Sequence, residues 1–463
     1  MPALPLLTLL NRITTELTLP KQQPLPTSSS TTKDNTDDTI LQCPLSTLSI
    51  LPTHPLALIK LAHDKIHSYP FSEVPACWRR LYTDASIREA IRVIRKGIEH
   101  KTDDGRNGGG AGDEGEEGYW IQHAVRLLDM AVIITGAPRR EEMIEELLEA
   151  LQNYVEEQEQ EQEDTGPPRK KRRKGDTERG IFSTAVINCP EIRHPIPTVL
   201  NMSLQEFETH LQTATQPLII RGALEHWPAL HERPWKNPEY ILKKTFGGRR
   251  LVPVEIGRSY TDAGWGQKIV TVREFMDKYM FRSHVFSSDE SEEGDEGIAY
   301  LAQHDLFAQI PSLRNDMSIP DYCYTSPPPP APGTPLASKP SQARLDEPIL
   351  NTWFGPAGTV SPLHTDPYHN ILCQVVGKKY VRLYAPEESG RVYPRGREAG
   401  GVDMSNTSEV DVEGWDEERW PLFGEARFVE GLVGEGECLY VPVGWWHYVR
   451  ALTASWSVSF WWN

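Results

Sequence analysis

Apolar residues recur at helical spacing through the first third of the chain. Ile87, Ile91 and Ile94 make one such stripe and Ala124, Leu127, Leu128 and Val132 another, so residues 56–155 read as a helical bundle or helix-pair array. No repeat of fixed period is legible. Residues 102–118, with Gly108, Gly109 and Gly110 among several acids, read as a flexible loop. No Lys-Ser or Lys-Thr follows that glycine run, so it is not a phosphate cradle. An acidic, Gln-rich run at 156–164 and Gly166-Pro167-Pro168 then mark a boundary. Beyond it the apolar runs shorten and alternate, at 217–220, 252–256, 375–383, 438–441 and 455–462, which predicts strands. Ser203 with Glu206 and Thr271 with Glu274 are capping boxes for two early helices. The expected organisation is a helical domain over 1–155, a charged linker over 156–185 and a mainly β domain over 186–463. Polar stretches at 287–296 (acidic) and 326–340 (proline-rich) read as surface insertions.

Composition narrows the class. The 463 residues carry 48 Lys plus Arg against 65 Asp plus Glu, a net charge of −17, which argues against general nucleic-acid binding. No direct sequence-specific nucleic-acid contact is expected. No apolar stretch is long enough to span a membrane, and the leucine-rich start lacks the flanks of a secretory signal. Six cysteines without a Cys-x-x-Cys suggest reduced thiols in an intracellular compartment. Against the acidic background, Arg169, Lys170, Lys171, Arg172, Arg173 and Lys174 stand together. Their mutual repulsion keeps them solvated, which suits either a charged linker or a nuclear-import signal; the nucleus is the expected location, with the cytoplasm as an alternative.

Candidate chemistry begins at Ser361-Pro-Leu-His364-Thr-Asp366. In an extended segment residues i and i+2 point the same way, so His364 and Asp366 can meet one metal ion. A third ligand is required, and His369 and His447 are the candidates. His447, from a distant strand, would close a two-His-one-carboxylate site and leave the opposite face open, as Fe(II) oxygenases need; alone, it would read as a core histidine among tryptophans. Lys379 alternates with Val381 and Leu383 on an otherwise apolar face. A lysine there either pairs with an anion, such as a ligand carboxylate, or snorkels to water.

Taken together, His364-Thr-Asp366, Asn370, Lys379 and His447, with Phe354-Gly-Pro356 and Ser457-Val-Ser-Phe-Trp-Trp462, resemble the jumonji-C (JmjC) Fe(II) and 2-oxoglutarate oxygenases. The likeness covers Ser203 to the C-terminus and extends weakly to Cys77-Trp-Arg-Arg80. It implies an α+β chain: a C-terminal double-stranded β-helix (a jelly-roll, cupin-like barrel) beside the N-terminal helical domain. It implies Fe(II) on His364, Asp366 and His447. Tyr300, Ser361, Asn370 and Lys379 are then the contacts to 2-oxoglutarate, with O₂ as co-reactant. Decarboxylation to succinate would drive hydroxylation of a nearby C–H bond, or demethylation where that carbon is an N-methyl. Glu255, Trp265 and Trp353 are similar in position to the substrate contacts of peptidyl-arginine hydroxylases; the residues alone allow Glu255 to be a solvated charge and the tryptophans core. The expected substrate is therefore a protein arginine side chain, with a methyl-lysine histone tail as alternative. A non-catalytic chromatin adaptor is the alternative of another class. A histone-tail peptidase ranks last, for want of a nucleophile or dyad.

Overall fold

The structure is a computed structural model and describes residues 3–18, 38–104, 114–165, 182–261, 264–281, 297–330, 336–338, 342–398 and 401–463. The chain forms two compact units, Met1–Glu178 with Arg249–Leu251, and Arg179–Gly248 with Val252–Asn463.

The first unit is helical. Its long helices are Ala3–Glu16, Pro55–Ile66, Ala76–Asp104, Glu114–Thr135 and Glu141–Thr165. The predicted stripes are buried: Ile87, Ile91 and Ile94 from the third helix, and Ala124 and Leu128 from the fourth. Leu127 and Val132 are only partly covered. Arg80 is fully buried, and Asp84 and Asp38 neutralise it, while Arg140 Nε reaches the same Asp84 at 3.0 Å. Two expectations change here. The acidic run at 156–164, expected in the linker, continues the last helix, because Glu and Gln are good helix formers when no Gly or Pro interrupts them. The expected loop is also shorter than 102–118, with helix extending to Asp104 and resuming at Glu114. The glycine run, the basic run and the acidic insertion lie outside the described residues.

The second unit is built on strands. In chain order they are β1 (Thr198–Leu200), β2 (Leu218–Arg221), β3 (Leu251–Ile256), β4 (Gly266–Thr271), β5 (Ala299–His304), β6 (Ile349–Gly355), β7 (Val360–His364), β8 (His369–Val376), β9 (Lys379–Tyr384), β10 (Phe428–Val433), β11 (Cys438–Val441), β12 (Trp446–Ala451) and β13 (Ser455–Trp462). Nine pair in the order β1-β2-β11-β8-β13-β6-β5-β3-β4 and four in the order β10-β9-β12-β7. Ser203 caps the helix Leu204–Thr213 with both bonds of the box. Thr271 accepts from the Glu274 N–H, but its helix is only Val272–Phe275 before a π-turn takes over.

Three apolar clusters place the site. Ile219, Leu372, Val381, Leu383, Val433, Leu439, Val441 and Val449 come from both sheets and fill the space between them. Phe207, Leu211, Trp227, Trp235 and Ile241 cover the outer face of the larger sheet. Tyr380, Tyr384, Trp446 and Tyr448 pack outside the smaller one. Alternation along each strand therefore sorts residues cleanly, and Lys379, Val381 and Leu383 face the barrel interior.

Candidate active site

His364 ends β7 and His447 is the second residue of β12, and the two are direct antiparallel partners. Their ring centroids lie 4.1 Å apart. Asp366 follows two residues beyond the end of β7; its Oδ1 is 3.8 Å from His364 Nε2 and its Oδ2 3.4 Å from His447 Nε2. One ligand atom from each residue falls within 4.8 Å of the other two. His364 Nδ1 donates to the Pro362 carbonyl at 2.7 Å and His447 Nδ1 to the Trp445 carbonyl at 3.1 Å. A carbonyl only accepts, so each Nδ1 keeps its proton and Nε2 is the ring atom each imidazole turns toward Asp366. Burial pushes the His364 imidazole down to about 4, which keeps it neutral. Burial acts the same way on His447, but the Asp366 carboxylate outweighs it and raises that imidazole. Two imidazoles and a carboxylate on one side of a point suit a divalent first-row metal with open positions opposite.

His369 is not part of this cluster. Its Nδ1 meets the Tyr440 hydroxyl at 2.9 Å, its ring lies 5.5 Å from that of Trp462, and burial lowers it to about 4. It is a core histidine.

Lys379 opens β9, and its side chain is buried. In the register Lys379 sits opposite Ala451 and Leu383 opposite His447, so the lysine lies four residues deeper than the metal cluster on one face, about 13 Å along the strand. Its Nζ donates to the Tyr300 hydroxyl at 3.2 Å, and Ser361 hydrogen-bonds to the same phenol. Among the described residues no carboxylate pairs with Lys379, and burial pulls its ammonium down to about 7. Asn370 lies opposite Trp461 across β8 and β13, and its Oδ1 and the Trp461 indole N–H are both buried without partners. A ligand anionic at one end and carrying further acceptors and donors would satisfy all of them.

Glu255 of β3 is the direct partner of Tyr300 on β5. It is largely covered, burial raises its carboxyl, and the Trp265 side chain hydrogen-bonds to it. Trp353 lies 6.1 Å from Tyr300 ring to ring and donates to Ser459 Oγ at 2.9 Å. Glu255 is thus no solvated charge, and Trp353 packs against the interior cluster with one side free of it. Trp265 is 38% exposed.

Sequence reasoning missed two contributors. Tyr260 feels both Asp366 and Glu255; burial, with these carboxylates, pushes its phenol up to about 12, and its hydroxyl meets Thr407 Oγ1 at 3.4 Å. Trp461 is the register partner of Asn370, and its indole nitrogen is buried without a partner. The Tyr260 loop has no periodicity to flag it, whereas period-two alternation along β13 does put Trp461 on the same face as Ser457 and Ser459.

With this geometry established, the likenesses to known proteins follow. A family model described as a cupin-like domain matches residues 204–463. Lysine-specific demethylase 8 of Danio rerio is 37% identical over 407 residues, covering 88% of this chain and 86% of that protein. Jumonji C domain-containing protein 5 of Drosophila melanogaster is 33% identical with the same two coverages. A human protein named bifunctional peptidase and (3S)-lysyl hydroxylase JMJD7 is 26% identical over 54% of this chain and 77% of its own length. The metal-suited cluster sits in a barrel of the kind those matches describe, and the chain belongs to the cupin-like JmjC family of 2-oxoglutarate-dependent dioxygenases.

Proposed function

We propose that this chain is an Fe(II)- and 2-oxoglutarate-dependent protein hydroxylase acting on arginine side chains. The observation that carries the substrate is Glu255. Its carboxylate is withdrawn from water, braced by Trp265 and next to the Tyr300–Trp353 pair, so it favours a cation with several N–H donors and a flat face. A guanidinium pairs bidentately with a carboxylate and stacks on aromatic rings.

In this reading His364, Asp366 and His447 hold the metal, their Nε2 and carboxylate oxygens already converging. Lys379 takes the distal carboxylate of 2-oxoglutarate as a charge-assisted hydrogen bond, Tyr300 and Ser361 fix its orientation, and Asn370 and Trp461 satisfy the remaining polar atoms. Bound Fe(II), with 2-oxoglutarate and O₂, supplies oxidative decarboxylation coupled to oxidation of a C–H bond. The protein's part is placement: Glu255 fixes the guanidinium, Trp353 excludes water, and the target carbon is presented to the open side of the metal cluster.

The second reading is demethylation of methyl-lysine, favoured by the name lysine-specific demethylase 8 carried by the zebrafish relative. A trimethylammonium has no N–H for Glu255, which is why arginine ranks first. A non-catalytic adaptor ranks lower, because the three ligand residues and Lys379 are all in place. Nuclear residence follows from the basic run at 169–174.

The deciding experiment incubates arginine-containing and methyl-lysine peptides with the protein, Fe(II), ascorbate and 2-oxoglutarate under air, with mass spectrometry as readout. A gain of about 16 Da on arginine establishes the hydroxylase, and a loss of about 14 Da from methyl-lysine puts the demethylase first. Glu255→Ala is expected to cut peptide-coupled turnover by at least ~100-fold, the scale of a lost charged hydrogen bond, while succinate release without peptide persists. Equal loss of both would remove Glu255 from the substrate contacts.

A further inference from the structure

A cavity of about 790 Å³ opens beside Asp366. From the proline-rich insertion it is lined by the prolines at 327–330 and by Leu336; from the barrel rim come Asp366, Tyr368 and Val443. Of the described residues of this insertion Ser326, Pro329, Pro330 and Ala337 are exposed, as its composition suggested, while Pro327, Pro328 and Leu336 are partly covered. Leu336 sits against the turn at Gly444, where an added Cβ would lie 3.2 Å from Leu336 Cδ1. The Gly444 N–H in turn donates to the Asp366 carbonyl at 3.4 Å. The segment after the insertion is pinned by Asn463, whose amide donates to the Ala343 carbonyl and whose Oδ1 accepts from the Leu345 N–H, both at 2.9 Å. Tyr368 stacks on Trp461, with ring centroids 5.9 Å apart.

This wall has a definite chemistry. Consecutive prolines have no N–H and a fixed φ, so they form a stiff, extended surface that loses little entropy when it is covered. Among the described residues that line the cavity there is no Lys or Arg; its one side-chain carboxylate is Asp366, which the metal reading already engages, and its other polar side chains, among them Gln342, Ser405 and Asn406, are uncharged. A charged side chain entering would exchange water for the uncharged amides and hydroxyl of Gln342, Asn406 and Ser405, and once Asp366 is engaged it meets no counter-ion among the described residues. An apolar one gains about 25 cal/mol for each Å² it buries. The cavity therefore discriminates on a different basis from Glu255, which seeks a cation.

We propose that this cavity binds the residues of the protein substrate that immediately flank the modified side chain, and that the proline run and Leu336 select an extended, uncharged apolar residue there. The inference rests on the reading of the chain as a protein oxygenase, through the position of Asp366 in the cavity wall. It deepens that reading by naming the substrate class: a cationic target beside a proline, leucine, isoleucine or methionine, in preference to a target embedded in basic residues.

The test is affinity selection on the immobilised full chain with Fe(II) and 2-oxoglutarate under nitrogen, so that nothing turns over. The library has a central arginine or a central methyl-lysine and three randomised positions on either side. Apolar residues are expected to be enriched about tenfold at one flank, the discrimination a hydrophobic pocket gives. Leu336→Glu is expected to abolish that enrichment and favour lysine or arginine instead. Pro328→Gly and Pro329→Gly together are expected to weaken the enrichment without creating a basic preference, separating wall stiffness from charge. No enrichment at either flank, or enrichment indifferent to both variants, overturns the proposal. The identity of the central residue in the selected pool is read separately: an apolar flank around methyl-lysine supports the cavity and counts against the arginine reading.

Discussion

At Lys379 an ammonium has left water without gaining a carboxylate, and its behaviour with pH follows from that. The folded chain holds it near 7 against an ordinary 10.5. Between those values the unfolded chain binds the extra proton, so the stability of the cofactor-free protein rises with pH through that window and is lowest below it. Lys379→Met is expected to raise the melting temperature at pH 7 by removing this cost, a few kcal/mol at about 1.4 per pKa unit, and to flatten the rise toward pH 10. The same lysine must be protonated to hold a dicarboxylate, so the KM for 2-oxoglutarate is expected to climb from pH 6.5 to 8.5, and Lys379→Arg to remove most of that climb. Asp366→Ala takes the only carboxylate from the metal cluster and leaves two imidazoles. Succinate release is expected to fall to background and bound iron to be lost on desalting; wild-type 2-oxoglutarate consumption would sink the ligand assignment. Lys379 was legible because strand alternation isolates a charge on an apolar face, and His364 with Asp366 because i and i+2 share a side. Tyr260 was not, since its place between Glu255 and Asp366 depends on the path of a loop.

The elements hold these residues through their register. The chain crosses from β8 in the larger sheet to β9 in the smaller one through Gly377, whose φ of +76° is left-handed and where a Cβ would run into the Ala454 carbonyl oxygen. Only glycine occupies such a point without strain. Gly377→Ala is expected to cost at least about 1–3 kcal/mol and, because Lys379 lies two residues on, to raise the KM for 2-oxoglutarate with a smaller change in kcat. Thermal melts and steady-state kinetics check the two halves separately. The alternating run at 375–383 was readable from the sequence, but not that the chain changes sheets within it, between Val376 and Lys379. β7 was harder, because Pro362 interrupts the ladder and argues against a central strand. It is in fact the edge of the four-stranded sheet, where a missing N–H is tolerated. β1, β4, β5, β6, β10 and β12 also lacked a clear alternating signature, because what defines them is pairing between strands remote in sequence. Thr271 misled in the other direction: its cap is real, but a cap fixes only where a helix begins, and here a π-turn takes over after four residues.

For the whole molecule the question is how a chain of net charge −17 would reach basic partners in a nucleus. Its acidity would favour encounter with the cationic substrate proposed here, and Glu255 would continue that preference at short range. The run from Arg169 to Lys174 opposes the trend, concentrating six cations outside the residues that build the barrel. On the proposed reading the run is an address and His364, Asp366 and His447 the chemistry, so the two are expected to be separable. Replacing all six with alanine is expected to move a fluorescently tagged chain from nucleus to cytoplasm while the purified variant keeps wild-type succinate release and the same pH profile for 2-oxoglutarate. A tagged variant that stays nuclear would show that the run is a solvated linker and that another segment carries the address. Loss of turnover would show that the six cations also act in catalysis, which nothing in the arrangement of the site requires, because its buried lysine, its metal-suited cluster and its carboxylate for the substrate all come from residues 255–461.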